Sequence, residues 1–301
     1  MQATAAVPKK GRAREIIIGI IAVIALGALY GMTLNSYGAE SARSSSAFQA
    51  GNTEETSYLD VDATMLSVDP IKGEVALRLT FTPQGDLTTD EGYTLASPLS
   101  LYVNSASGKQ EAALENGKHI NPMDVTINIY EGQANDYPFD LHKAQLWLDV
   151  ERPVDEKAGT EAAAVPVAIS FYGSLPGLKI SAEPSAEIRP EEVGSVAVDI
   201  EITRSGTVRF FAIFAMAVMW AIALAVAFMV LAVLLRGRKV ELGMFSLAAS
   251  LLFGFWALRN ALPGTPPVGT LSDFIAFFWA EGIAAISVTI LILTWLIRPV
   301  K

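Results

Sequence analysis

The 301-residue chain contains no cysteine and only two histidines, His119 and His142. Without thiols there is no disulfide framework, thiol nucleophile or lipoprotein acylation site, so a β-rich domain in this chain must be held by its own core. Two histidines on separate predicted strands do not support a His-based triad or a structural zinc. No phosphate-cradling glycine loop, HExxH, GxSxG or calcium-loop spacing occurs either. Basic residues are sparse in the middle of the chain. Residues 33–206 carry 27 acids against 11 bases, and the rest 4 against 11, which together give the net charge of −9. An acidic segment of this kind argues against nucleic acid and anionic lipid headgroups as its partners. No catalytic residue, metal or cofactor is assigned.

Apolar residues, by contrast, make up 51% of the chain and fall mostly in four runs: Ile16 to Leu34, Phe210 to Leu235, Leu242 to Leu262 and Phe274 to Ile297. Each is close to the ~20 residues a helix needs to cross a ~30 Å hydrocarbon core. Lys9, Lys10, Arg12 and Arg14 precede the first run, Arg236, Arg238 and Lys239 separate the second from the third, and Arg298 and Lys301 follow the fourth. Cations beside spans are retained in the cytoplasm, which predicts a multi-pass plasma-membrane protein with both termini inside and the acidic middle outside. The first run has a basic flank like a secretory signal. Its length, and the lack of a small-x-small site near its end, make it an uncleaved anchor in this reading.

A Ser/Gly/Ala-rich tether follows, and then the pattern changes to period two. Val75, Leu77, Leu79 and Phe81 alternate, as do Val125, Ile127 and Ile129, then Leu146, Leu148 and Val150, then Val196, Val198, Ile200 and Ile202. With further candidate strands over 58–68, 97–104, 165–172 and 178–182, this predicts a β-sandwich. The expected class is membrane α+β: an extracytoplasmic all-β sandwich plus four transmembrane helices. The boundaries are a basic tail (1–14), an anchor (15–34), a stalk (35–56), the sandwich (57–205) and a three-helix bundle (206–301).

Two groups of residues stand out. In "YPFD", Tyr137, Pro138, Phe139 and Asp140 precede a predicted strand. One reading is a local turn in which Asp140 caps nearby amides; the other is a joint to the helices. The second group is ionisable and lies in or beside spans. Arg259 and Asp273 are expected to pair near the outer interface. Glu281, deeper in the last span, is expected to face the bundle, be protonated or meet a donor from Trp220, Trp256 or Asn260.

The whole arrangement, including "YPFD" and the closing "ALRNALPGTPPVGTLSDFIAFFWAE", resembles the uncharacterised membrane proteins grouped as domain of unknown function 4436. A more distant likeness is to pentameric ligand-gated ion channels of the Cys-loop superfamily. These also have an aromatic-Pro-aromatic-Asp loop at the membrane end of a β-sandwich, an arginine before the next span, and a Leu-Pro turn between later spans. The matching positions are Tyr137 to Asp140, Arg204, and Leu262 with Pro263. The likeness implies that Asp140 faces Arg204 or Arg209 with the proline turn beneath. It also implies a lining helix over 240–262, where Phe253 and Trp256 would constrict a pore.

The function expected is non-enzymatic. The sandwich would bind a partner or ligand and be coupled to the bundle, with the lipid bilayer and other membrane subunits or further copies of the chain as partners and no nucleic acid. The alternative is a ligand-gated-channel-like oligomer.

Overall fold

The computed structural model describes residues 46–51, 55–89, 94–154, 162–187 and 193–298, with scattered positions between 16 and 38. The chain divides into two units, Met1–Arg43 and Ser44–Lys301. In the first, the described positions from 16 to 38 are helical. The basic tail expected over 1–14 lies outside the described residues, and the anchor expected over 15–34 is described only in part. The second unit holds a β-domain and, after it, three long helices.

Alternating apolar residues build the β-domain. Among the described residues eleven strands form: β1 (Ser46–Gly51), β2 (Leu59–Asp69), β3 (Glu74–Pro83), β4 (Leu99–Ser105), β5 (Gly108–Leu114), β6 (Met123–Glu131), β7 (Leu141–Arg152), β8 (Ala163–Ala164), β9 (Val167–Gly173), β10 (Leu178–Pro184) and β11 (Ser195–Arg204). One layer runs β1-β9-β2-β3-β6. The other runs β10-β11-β7-β4-β5, with β8 beside the end of β7. All pairings are antiparallel except β2 with β9. β6 belongs to both layers. It pairs with β3 from Met123 to Asn128 and then, through a register shift between Ile129 and Glu131, with β7. A bulge of this kind bends a strand and lets it change sheets.

The period-two faces meet between the layers. Val75, Leu77, Leu79 and Phe81 of β3, Leu146, Leu148 and Val150 of β7, and Val196, Val198, Ile200 and Ile202 of β11 share one buried cluster. Burial of such side chains contributes about 1.5–3 kcal/mol each relative to leaving them exposed, and this chain has no cross-link to add to it. The segment read as a stalk departs from expectation at Ser46–Gly51, which pairs antiparallel with β9 and rests Phe48 and Ala50 on the core.

Among the described residues three helices are long and apolar enough to cross a membrane: α1 (Gly206–Leu235), α2 (Leu242–Asn260), and α3 (Phe278–Ile297), which continues a π-helical turn over Asp273–Phe277. α3 packs against both others. At about 1.5 Å per residue, the 30 residues of α1 exceed the hydrocarbon thickness and the 19 of α2 roughly match it.

Only Ser205 separates β11 from α1. Its hydroxyl accepts from Val208 N (3.3 Å) as an N-cap, and its own N–H donates to Gly177 O (3.0 Å) in the β9–β10 turn. This short junction fixes Arg204 at the border between sheet and helix.

Candidate functional site: the sheet–helix joint

The chain turns into β7 through a short 3-10 segment, Ala134–Asp136, and a cis peptide between Tyr137 and Pro138. The two aromatics of "YPFD" then part: Tyr137 is fully buried and Phe139 is 53% exposed. Asp140 is 1% exposed and sits immediately before β7.

Arg204, at the end of β11, reaches Asp140 with Nε 3.0 Å from Oδ1 and 2.9 Å from Oδ2, and with Nη2 2.9 Å from Oδ2. His142 Nε2 lies 3.0 Å from Oδ2. An ionised carboxylate only accepts, so His142 presents a hydrogen on Nε2 to it. The His142 Nδ1 is buried with no hydrogen-bond partner among the described residues. It faces Gly132, where an added Cβ would come within 2.8 Å of it. Burial pushes the Asp140 carboxyl up, but the hydrogen bonds from His142 and Arg204 and the guanidinium charge outweigh burial and hold it below the ordinary range.

Tyr137 carries the contact across to the helices. Its ring packs in one buried cluster with Val208, Ala212 and Ala215 of α1 and Leu262 after α2. Its hydroxyl donates to Pro263 O at 3.0 Å. The Arg204 guanidinium lies 5.3 Å from the ring centroid, a cation–π contact. Burial pushes the Tyr137 phenol up to about 12, with the Arg204 charge opposing and the Asp140 charge adding. Gly264 closes over the same guanidinium. At φ +76° it adopts a backbone conformation that disfavours a side chain, and an added Cβ would lie 2.8 Å from Arg204 Nη1.

Arg209 does not face Asp140; its Nε donates to the Arg204 carbonyl at 3.1 Å. Of the two cations the resemblance offered, Arg204 is the partner.

A second buried ion pair holds the far side of the loop. Arg259, 4% exposed, meets Asp273, 0% exposed, through Nε to Oδ1 (3.0 Å) and Nη2 to Oδ2 (2.9 Å). Nη2 also donates to Pro267 O (2.6 Å), and Gly269 N donates to Asp273 Oδ2 (2.8 Å). The segment after α2 is thus tied to the β-domain at Pro263 and to the bundle at Pro267 and Gly269.

Glu281 lies apart from this network. Its Oε2 is buried with no hydrogen-bond partner among the described residues. Of the donors expected for it, Trp220 Nε1 is committed to Ile275 O (3.0 Å) in the π turn, Trp256 stacks edge-on against Phe277 (4.9 Å), and Asn260 is exposed.

His142 is the site residue that sequence reading missed as a partner. The available signal was "DLH": positions two apart at a strand start lie on one face. Among the described residues no group of three His, Cys, Asp or Glu side chains could hold a metal.

The family model described as domain of unknown function DUF4436 matches residues 49–211, more than half of the chain. A second, domain of unknown function DUF8686, matches residues 204–298, so the closing bundle falls under a model of its own. The two overlap over 204–211, the border between β11 and α1, and the Tyr137–Pro263 hydrogen bond runs from residues of the first to residues of the second. No curated protein matches the chain.

Proposed function

The chain belongs to the DUF4436 family, and from that premise we propose a non-enzymatic membrane protein whose β-domain, on the extracytoplasmic side of the plasma membrane, binds a partner or ligand and is mechanically coupled to the helices. Both termini are cytoplasmic in this reading. The bilayer and other membrane subunits, or further copies of the chain, are its partners, and nucleic acid is not. The observation that carries it is the single network in which Asp140 grips Arg204 while Tyr137, three residues earlier, packs on α1 and holds Pro263. A turn that served only itself would not need its aromatic and its carboxylate both committed to other elements.

Charge reversal tests the coupling. Asp140→Arg and Arg204→Asp should each destabilise the reconstituted protein, and the double variant should recover part of the loss. No recovery, with each single variant still inserted in the membrane, contradicts the reading. Crosslinking in native membranes tests the binding half: the reading expects a partner or ligand attached to the β-domain. A symmetric ring of copies with ion flux would instead establish the channel-like alternative.

A further inference from the structure

α1, α2 and α3 with its π turn contain four ionisable residues: Arg209, Arg259, Asp273 and Glu281. Arg209 donates to the Arg204 carbonyl in the first turn of α1, and Arg259 and Asp273 satisfy each other at the end of α2. Glu281 is the one left over. Eight residues past Asp273, it lies about 12 Å along the helix axis from that pair. Phe277 and Ala284, one turn to either side of it on the same face, are buried in the apolar cluster shared by the three helices.

Glu281 is half-buried, and its Oε2 is buried with no donor on it among the described residues, so an ionised Glu281 would be a charge without a partner in a membrane-spanning helix. Such a charge is costly at that depth. The neutral acid removes the charge. We propose that Glu281 is a proton-binding site within the membrane-spanning bundle, occupied as the carboxylic acid, and therefore the site at which a lipid-soluble carbodiimide modifies this protein. In that modification the acid O–H adds across one C=N bond of the reagent. The oxygen bonds to carbon, the proton moves to nitrogen, and the adduct rearranges to an N-acylurea with nothing lost.

The test uses the full chain in nanodiscs treated with dicyclohexylcarbodiimide and analysed by peptide mass spectrometry. The proposal expects an adduct at Glu281 that Glu281→Gln abolishes, a labelling rate that falls as pH rises, and at least tenfold less modification by a water-soluble carbodiimide. Glu281→Gln, which mimics the neutral acid in shape, should keep the thermal unfolding midpoint of the parent, whereas Glu281→Lys should lower it. Three outcomes would overturn the proposal: no adduct at Glu281 in protein that remains folded, equal modification by the water-soluble reagent, or a lowered midpoint for Glu281→Gln. The first would indicate a bound cation or a partner's donor on the carboxylate, and the second an open, ionised group.

Discussion

Asp140 and Glu281 are both carboxyl groups with buried oxygens, and they have been handled in opposite ways. Asp140 receives Arg204 on both oxygens and His142 on one; no described residue donates to the buried oxygen of Glu281. Asp273 falls with Asp140, taking Arg259 on both oxygens and the Gly269 amide besides. The difference follows from position in the chain. Asp140 and Asp273 border loops, whose freed amides and nearby arginines can converge on a carboxylate. Glu281 lies inside a helix, where backbone donors are already spent. Partnered carboxylates act as structural clamps, and removing a partner from one exposes the full cost of its burial.

The largest expected effect therefore comes from leaving a clamp half made. Arg204→Met strands the Asp140 charge and should cost about 3–5 kcal/mol, read as a lowered unfolding midpoint in nanodiscs. Arg259→Met should behave alike at Asp273. If either variant matches its parent, the clamp is not what holds that part of the molecule.

Acid gives the same comparison without mutation. The folded Asp140 carboxyl is held below its ordinary value of 3.8, so its contribution is fully present above that value and is lost as pH falls below it. Stability should drop in that acid range, and Asp140→Asn should make the curve flatter there while lowering stability at neutral pH. A variant with the parent's acid slope would dissociate Asp140 from it.

Gly264→Ala probes the contact from the loop side. Its left-handed backbone alone disfavours a side chain by about 1–2 kcal/mol, and the crowding against Arg204 adds to this. The paired control is Gly117→Ala: that glycine is also left-handed, at φ +72°, but opens onto empty space. The excess loss at 264 over 117 measures the crowding. Tyr137→Phe should cost less, about 0.5–1.5 kcal/mol, since the ring stays packed and only the bond to Pro263 goes.

Much of the fold was legible in the sequence because apolar alternation reports directly which face is buried. The faces of β3, β7 and β11 could be named residue by residue. β1 could not: "SAFQAG" has the composition of a tether, and only pairing with β9 makes it a strand. β5, "GKQEAAL", is a weakly strand-forming edge that pairs with β4. At the site, pattern left "YPFD" open between a local turn and a joint; that Asp140 meets an arginine above the Leu262-Pro263 turn was implied by the resemblance alone, and the contacts run from Asp140 to Arg204 and from Tyr137 to Pro263. The role of His142, the choice of Arg204 over Arg209 and the fit of Gly264 against a guanidinium depend on approach between distant segments. Local pattern carries no record of those. The same limit applies to Trp220, whose indole meets a carbonyl of the π turn, a feature without a sequence signature.

Coupling means that a change at Asp140 is felt in the loop after α2. Hydrogen–deuterium exchange of the full chain in nanodiscs, parent against Asp140→Asn, reads this directly. The account expects faster exchange in residues 262–270, far from Asp140 in sequence, with little change at the β4–β5 turn. Faster exchange confined to residues 134–142 and 203–205 would make "YPFD" a local turn cap and contradict the joint.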